Sequence, residues 1–244
     1  MLFRSGQLVT PISQQKPPFW VWNAGLNQLY MSSYHLAPDL MGAYLDALKK
    51  YRIRYIWGYT SALYSLAQKA LLENRKDLQM AVVIANAEPL FDYQRELISE
   101  AFNCPVRETY GMAEMVAAAS ECEKNNLHQW ADAGIIEREN AADNQQPTDF
   151  ICTGLINPDM PLIRYRIGDC GTFCDAACDC GRTLPLLGKI EGRSDDVLYT
   201  RDGRRVGRLD PIFKNNFPIL EAQLIQESLN KIIVKYVPTE SFSQ

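Results

Sequence analysis

Histidine is scarce, with His35 and His128 the two among 244 residues. Neither stands in a motif that supports a serine or cysteine nucleophile, so acyl transfer of that kind has no basis in the sequence. The glycine fingerprint of a dinucleotide-binding turn is missing, and so is a P-loop lysine motif. No apolar run reaches the ~18 residues of a membrane span, and Met1 to Gly6 carries one arginine without the apolar core of a signal peptide. A cytoplasmic protein is expected. Net charge is -4 with scattered basic residues, which leaves no basic footprint for nucleic acid. Internal repeats and low-complexity tracts are absent as well.

What is there is an ordinary globular composition, 47% hydrophobic and 22% charged, enough for a substantial core. The length exceeds the ~100–200 residues of a typical domain, so one large domain or a domain and a half is expected. Seven cysteines in a reducing compartment favour free thiols or a metal site over a disulfide framework.

Residues 1 to 35 show little pattern, because Pro11, Pro17 and Pro18 break any helix; Phe19 to Trp22 offers a short aromatic strand. Pro38 and Asp39 open a helix to about Tyr51, with Leu40, Met41, Tyr44, Leu45 and Leu48 on one face. Ile53 to Trp57 reads as a strand, residues 58–61 as a turn and Ala62 to Glu73 as a helix. Ala81 to Ala85 follows as an apolar strand without alternation, as when both faces are covered. A helix from Phe91 to Phe102 and a strand from Val106 to Thr109 complete an α/β pattern. Such alternation implies right-handed crossovers and a parallel sheet, with ligands beyond the carboxyl ends of its strands.

From Ala131 the pattern changes to short strands: Gly134 to Arg138, Phe150 to Leu155, Leu162 to Arg166 and Val197 to Thr200. They predict an antiparallel β-rich subdomain packed beside the parallel sheet. A hairpin turn at residues 201–204, a helix near Pro211 to Asn215 and a strand near Leu220 to Gln226 mark the start of a small C-terminal α+β unit.

Several groups can do chemistry. Tyr110 lies just past a strand end, followed by Gly111, where a backbone can approach a ligand closely; the plain structural alternative makes Tyr110 a half-buried turn residue and Glu114 a helix-start carboxylate favoured by the dipole. Asn86-Ala87-Glu88-Pro89 follows the preceding strand. Ile167-Gly168-Asp169 would end a strand at glycine and leave the Asp169 carboxylate at its end, able to accept two hydroxyl hydrogen bonds at once. Cys122 and His128, with Cys174, Cys178 and Cys180, supply one imidazole and four thiols in two clusters, and zinc takes four such ligands in a tetrahedron. Cys104, Cys152 and Cys170 lie in or beside strands and read as small buried residues.

Three motifs occur in order: Tyr110-Gly111-Met112-Ala113-Glu114, Arg164-Tyr165-Arg166-Ile167-Gly168-Asp169 and Gly192-Arg193-Ser194-Asp195-Asp196. In this the chain resembles the adenylate-forming superfamily of acyl-CoA synthetases, peptide-synthetase adenylation domains and luciferases, nearest its phenylacetate-CoA ligase and capsule-biosynthesis branch. The resemblance runs from about Tyr51 to Val237. It implies ATP-dependent activation of a carboxylic acid to an acyl-adenylate, with coenzyme A or another acceptor taking the acyl group. It assigns Tyr110, with Gly111 beside it, to adenine stacking, and Ala87, Glu88 and Pro89 to the loop lining the adenine pocket. Asp169 would grip both ribose hydroxyls, and Arg193 would contact ribose or phosphate. Glu114 would help hold Mg2+ near the phosphates, a hard cation that takes carboxylate oxygen, and Asp195 would be the hinge between two domain orientations. Cys122, His128, Cys178 and Cys180 are favoured as the zinc ligands, with Cys174 able to replace one.

Two parts of the superfamily pattern are missing. Nothing before Tyr51 has the composition of the Ser/Thr/Gly-rich loop that holds the triphosphate, and Lys214, Lys231 and Lys235 lie too early to be the lysine of the C-terminal domain. The chain therefore reads as an incomplete adenylate-forming enzyme fold, with a partial adenylation domain over 1–195 and a truncated C-terminal subdomain over 196–244. Without the loop and the lysine, much of the electrostatic stabilisation of a pentavalent phosphate is lost. Weak activity alone is expected, with a complementing chain or a homo-oligomer as partner. The alternative is a non-catalytic remnant that binds nucleotide or a partner.

Overall fold

The computed structural model describes residues 2–4, 10–11, 13–139, 146–193, 197–199, 201, 205–207 and 219–239. Twelve strands form one mixed sheet: β1 (Leu2–Arg4), β2 (Trp20–Asn23), β3 (Gln28–Ser32), β4 (Tyr55–Tyr59), β5 (Val82–Asn86), β6 (Val106–Gly111), β7 (Ala118–Glu121), β8 (Leu127–Gln129), β9 (Gly134–Arg138), β10 (Thr148–Gly154), β11 (Tyr165–Cys174) and β12 (Leu186–Arg193). Their order is β2-β3-β1-β4-β5-β6-β7-β8-β12-β11-β10-β9. The run from β3 to β6 is parallel, and the other neighbours are antiparallel.

Helices α1 (Met41–Lys50), α2 (Thr60–Leu72) and α3 (Asp92–Phe102) make the crossovers. Met41, Tyr44, Leu45 and Leu48 of α1, Leu63 and Leu66 of α2, and Ile98 and Phe102 of α3 recur at helical spacing. They close a core over Ile56, Val83, Ala85 and Val106 of the sheet. Each large apolar side chain so buried contributes ~1.5–3 kcal/mol. The first helix starts later than Pro38, because Leu40 and Met41 both donate their amides to the Ala37 carbonyl, at 2.9 and 3.0 Å, in a preceding turn. The second starts earlier than Ala62, and its first turn takes the place of the expected loop. The Ser61 amide donates to Glu88 Oε2 at 2.7 Å and the Thr60 hydroxyl to the Glu88 carbonyl at 3.0 Å. A cap supplied from another loop satisfies amides that a helix start leaves open.

The antiparallel part does not pack beside the parallel sheet; it continues it. Thr109, Tyr110 and Gly111 of β6 pair with Ser120, Ala119 and Ala118 of β7, so hydrogen bonding passes from one half to the other. A second core of Val116, Ala119, Leu127, Ile136, Phe150, Ile167 and Leu187 fills that half.

Two strand ends differ from the sequence reading in ways that matter for chemistry. Tyr110 lies within β6, which runs to Gly111. The strand holding Asp169 does not stop at Gly168: β11 continues to Cys174. Between the register pairs Ile151↔Arg166 and Asp149↔Cys170, Ile167, Gly168 and Asp169 stand opposite Phe150 alone. This bulge is possible because Gly168 adopts φ +81°, a left-handed conformation open to glycine. Asp169 thus occupies a mid-strand bulge rather than a strand end.

Beyond Arg193, β13 (Val197–Tyr199) and β14 (Arg205–Gly207) form the expected hairpin, its turn residues 202–204 lying outside the described residues. The strand near Leu220 is longer than its sequence suggests: β15 (Ile219–Ser228) pairs with β16 (Lys231–Pro238). The helix expected near Pro211 to Asn215 also lies outside the described residues. Among those described, no helix is long and apolar enough to cross a membrane.

Candidate functional site

The bulge in β11 brings residues from three motifs together. The Tyr110 hydroxyl donates to Asp169 Oδ2 at 2.8 Å, and Asp169 is register partner of Arg193 on β12. The Arg193 guanidinium donates from Nη1 to the Ile167 carbonyl at 3.0 Å. It lies so close over Gly168 that a Cβ there would sit 3.0 Å from Cζ. Burial, and then the Asp169 carboxylate, push the Tyr110 phenol well above its ordinary range, so the hydroxyl keeps its proton and donates it. The Tyr110 ring meets Phe150 edge to face at 6.1 Å. A carboxylate has about four acceptor positions, so Asp169 can bond Tyr110 and still take two hydroxyls.

The other residues singled out by sequence are placed differently. Ala87 has φ 60°, and Glu88 in the same loop has its carboxylate on the α2 amide described above. Pro89 is exposed. Glu114 is partly buried in the turn after β6, which leads into β7 and not into a helix, and Asp195 lies outside the described residues.

A second constellation joins the β7–β8 turn to the β11–β12 connection. Cys122 Sγ, His128 Nε2, Cys178 Sγ and Cys180 Sγ are the potential ligand atoms, and all lie within 4.8 Å of one another; Cys174 is not among them. Cys122 and Cys178 sulfurs are 3.7 Å apart, and Cys180 Sγ is 3.3 Å from His128 Nε2. Tetrahedral zinc with 2.3 Å sulfur and about 2.05 Å nitrogen bonds implies separations of about 3.8 and about 3.6 Å. The residues present fit that ion. Burial raises the Cys180 thiol, but hydrogen bonds from the Arg182 backbone and side chain, and from Cys178 and Cys122, outweigh it and bring it down to about 6, while the neighbouring Cys178 thiol moves up; metals bind the thiolate form. His128 Nδ1 is buried without a hydrogen-bond partner among the described residues, so the ring is oriented by packing and by what Nε2 binds.

Sequence reasoning missed the groups that hold these parts. The Asn126 amide donates to Cys178 Sγ at 3.1 Å. Arg107 donates to Asn125 Oδ1 at 2.5 Å, and Arg182 pairs with Glu123 at 2.8 Å. A polar Glu123 to Asn126 run between two candidate ligands was the available signal. Arg95 makes a two-point ion pair with Glu121 at 2.7 and 2.9 Å. Beside it, burial and then the Glu121 charge, opposed by Arg95, raise the Glu108 carboxyl to about 7. Cys152 lies near Asp169; burial, and then that carboxylate and Glu137, push its thiol up to about 12.

Fold and motif order define a class, the adenylate-forming enzyme fold, present here in part. The particular relatives bear this out. The chain is 30% identical to Protein CapK of Staphylococcus aureus, over 95% of the chain and 52% of CapK. It is 31% identical to phenylacetate-coenzyme A ligase of Thermus thermophilus, over 56% of the chain and 34% of that enzyme. The structure of 2-hydroxyisobutyryl-CoA ligase in the postadenylation state, in complex with R3-HIB-AMP, superposes with a TM-score of 0.61. That match has 24% identity and covers 84% of this chain and 47% of the ligase. No protein-family model matches. The resemblance is thus to the phenylacetate-CoA ligase and CapK branch, and the chain spans about half the length of CapK.

Proposed function

We propose that the chain is the adenosine-holding portion of an ATP-dependent adenylate-forming ligase, in which a carboxylate attacks the α-phosphate of ATP to give acyl-adenylate and pyrophosphate. Coenzyme A or another acceptor then takes the acyl group. The observation that carries this reading is the Tyr110 to Asp169 hydrogen bond with the Arg193 guanidinium over Gly168, which unites motifs far apart in sequence. In this reading the Tyr110 ring stacks on adenine, Ala87, Glu88 and Pro89 border it, and Asp169 holds the ribose hydroxyls. Arg193 meets ribose or phosphate. A single partly buried carboxylate at Glu114 suits Mg2+, which keeps several waters and supplies charge neutralisation at the phosphates. Asp195 is the hinge between domains 1–195 and 196–244. The Cys122, His128, Cys178 and Cys180 cluster holds a structural zinc ion, and the protein works in the cytoplasm. Calorimetric titration of the chain with AMP tests the reading; saturable binding is expected, and a chain that binds no adenine nucleotide overturns it. Turnover is read by carboxylate-dependent exchange of labelled pyrophosphate into ATP across a panel of acids, where the chain alone should give little.

A second reading, a non-catalytic remnant that binds through its surface, is favoured by one observation. On β4, Ile56 is buried under the helices, while Tyr55 and Trp57 are 59% and 38% exposed on the alternate face, and Trp130 is 47% exposed. Parallel strands are usually covered on both faces, and bare apolar area favours association with a complementing chain or a second copy. Light scattering after size exclusion decides: a monomer at all concentrations, with no added chain binding it, leaves this reading without support.

A further inference from the structure

The twelve-stranded sheet has a narrow joint. Strand β8 meets β12 through two register pairs, Leu186↔His128 and Leu187↔Leu127, supplemented by the Gln129 amide on the Pro185 carbonyl at 2.8 Å. By contrast, β4 and β5 share five pairs. Tyr110 lies on one side of this joint, and Asp169 and Arg193 lie on the other. The Cys/His cluster is divided in the same way, with Cys122 and His128 from the β7–β8 side and Cys178 and Cys180 from the β11–β12 side. Both sites span one joint.

The two sites are also tied along the near side. Ala119, on the strand that leads into Cys122, is register partner of Tyr110. Arg107, on the same strand as Tyr110, donates to Asn125 Oδ1 at 2.5 Å and to the Glu123 carbonyl at 3.4 Å, within the turn between the two ligands. On the far side, the strand that begins beside the cluster, at Leu186, ends at Arg193. An ion drawing Cys178 and Cys180 toward Cys122 and His128 therefore acts on the strands that carry Tyr110 and Arg193.

We propose that a metal ion in the Cys/His cluster positions the nucleotide site, by holding the two sides of the joint at the separation that the Tyr110 to Asp169 bond requires. The proposal rests on the metal and nucleotide assignments made above. Two ligands that both favour one arrangement of a joint strengthen each other by the same factor, whichever is bound first. The apolar cluster of Val116, Leu127, Ile136, Phe150 and Leu187 crosses the joint as well, so losing the ion should loosen the joint without dissolving the fold.

The test is made on the whole chain, stripped of metal by chelation and checked for retained secondary structure by circular dichroism. AMP affinity is measured by calorimetry with and without one equivalent of zinc, and zinc affinity by competition against a chelating dye with and without saturating AMP. Metal removal should weaken AMP about tenfold, and AMP should tighten zinc by that same factor, within the usual range of coupling between sites. A metal with only a structural role would leave the zinc affinity of the folded protein indifferent to AMP. Equal AMP affinities in two folded forms overturn the proposal while leaving both sites standing. A chain that binds AMP but no zinc refutes the metal assignment, and one that binds zinc but no AMP refutes the nucleotide assignment; either takes the proposal with it. If the metal-free chain does not hold its fold, Tyr110→Phe decides. Removing that bond across the joint should weaken zinc about threefold with no nucleotide present, a share of one hydrogen bond's net worth, and an unchanged zinc affinity overturns the coupling.

Discussion

Replacing Asp169 by alanine separates a ribose clamp from a residue that merely ties two strands. In the free protein Asp169→Ala takes away the acceptor of the Tyr110 hydroxyl, 2.8 Å from Oδ2. A partly buried phenol left without a partner costs about 1–3 kcal/mol of stability. Tyr110→Phe removes the same bond but keeps the carboxylate and leaves no unpaired phenol, and so reports the loss of the bond without that penalty. If Asp169 also holds two ribose hydroxyls, each charge-assisted bond contributes ~1.5–3 kcal/mol. Asp169→Ala should then weaken AMP at least tenfold, because 1.4 kcal/mol is one decade of affinity. The sharper readout is the ratio of AMP to 2′,3′-dideoxy-AMP affinity by titration calorimetry. Wild type should prefer AMP, Tyr110→Phe should keep much of that preference, and Asp169→Ala should lose it, since the dideoxy nucleotide offers no hydroxyl to hold. Equal losses for both nucleotides, with a lowered melting temperature, would make Asp169 a strand tie and refute the ribose assignment.

Glu108 gives a pH-dependent test. Its folded carboxyl near 7 stands above the ~4.3 of an unfolded glutamate, so the folded chain binds more protons between these values and stability falls as pH rises through that window. Glu108→Gln should therefore stabilise the chain at pH 8, by up to about 4 kcal/mol, with a raised melting temperature, and gain nothing near pH 4; a pH-independent effect would contradict the buried-carboxyl account. Gly168→Ala combines a φ of +81° with a Cβ 3.0 Å from the Arg193 guanidinium. It should cost about 1–2 kcal/mol of stability and weaken AMP, and unchanged melting and binding would show that the bulge tolerates a side chain. Metal analysis of protein purified without added zinc should find about one equivalent, as four-ligand closure implies, with melting lowered after chelation. Less than a tenth of that, with unchanged melting, would remove the site.

The parallel half was legible because its signals are local. Helical spacing in Met41, Tyr44, Leu45 and Leu48 marks the buried face of α1, and the unalternated Ala81 to Ala85 run lies where β5 formed, although only one face of β5 is fully covered: Val83 and Ala85 are buried and Val82 and Ile84 half-buried. The start of α2 was not legible, since the Glu88 carboxylate that caps Ser61 comes from a loop 27 residues away. β7 and β8 escaped notice for another reason: at four and three residues they are too short for a period to show, and their register is imposed by neighbours. At the candidate site, residue types were readable from motif order, but their relation was not. The sequence suggests that Gly168 stops a strand, and only the partner strand reveals that the extra residues are absorbed as a bulge. The Tyr110 to Asp169 bond spans 59 residues of chain and depends on that bulge.

That bulge has an arithmetic of its own. Three residues of β11 stand where β10 has one, between Asp149↔Cys170 and Ile151↔Arg166, so the surplus is an even number. Side chains alternate faces along a strand, and an even surplus leaves inside and outside unchanged on either flank. Cys170 stays buried, and Arg166 remains beside Asp149 at 3.3 Å, as if the insertion were not there. Excising Gly168 and Asp169 together would remove the bulge and keep that parity, whereas deleting Gly168 alone would leave two residues opposite one, a one-residue bulge without the glycine that its left-handed backbone uses. Toward β10 the candidate site is thus a detour in a strand whose register does not require it, while toward β12 Asp169 keeps its place in the ladder opposite Arg193.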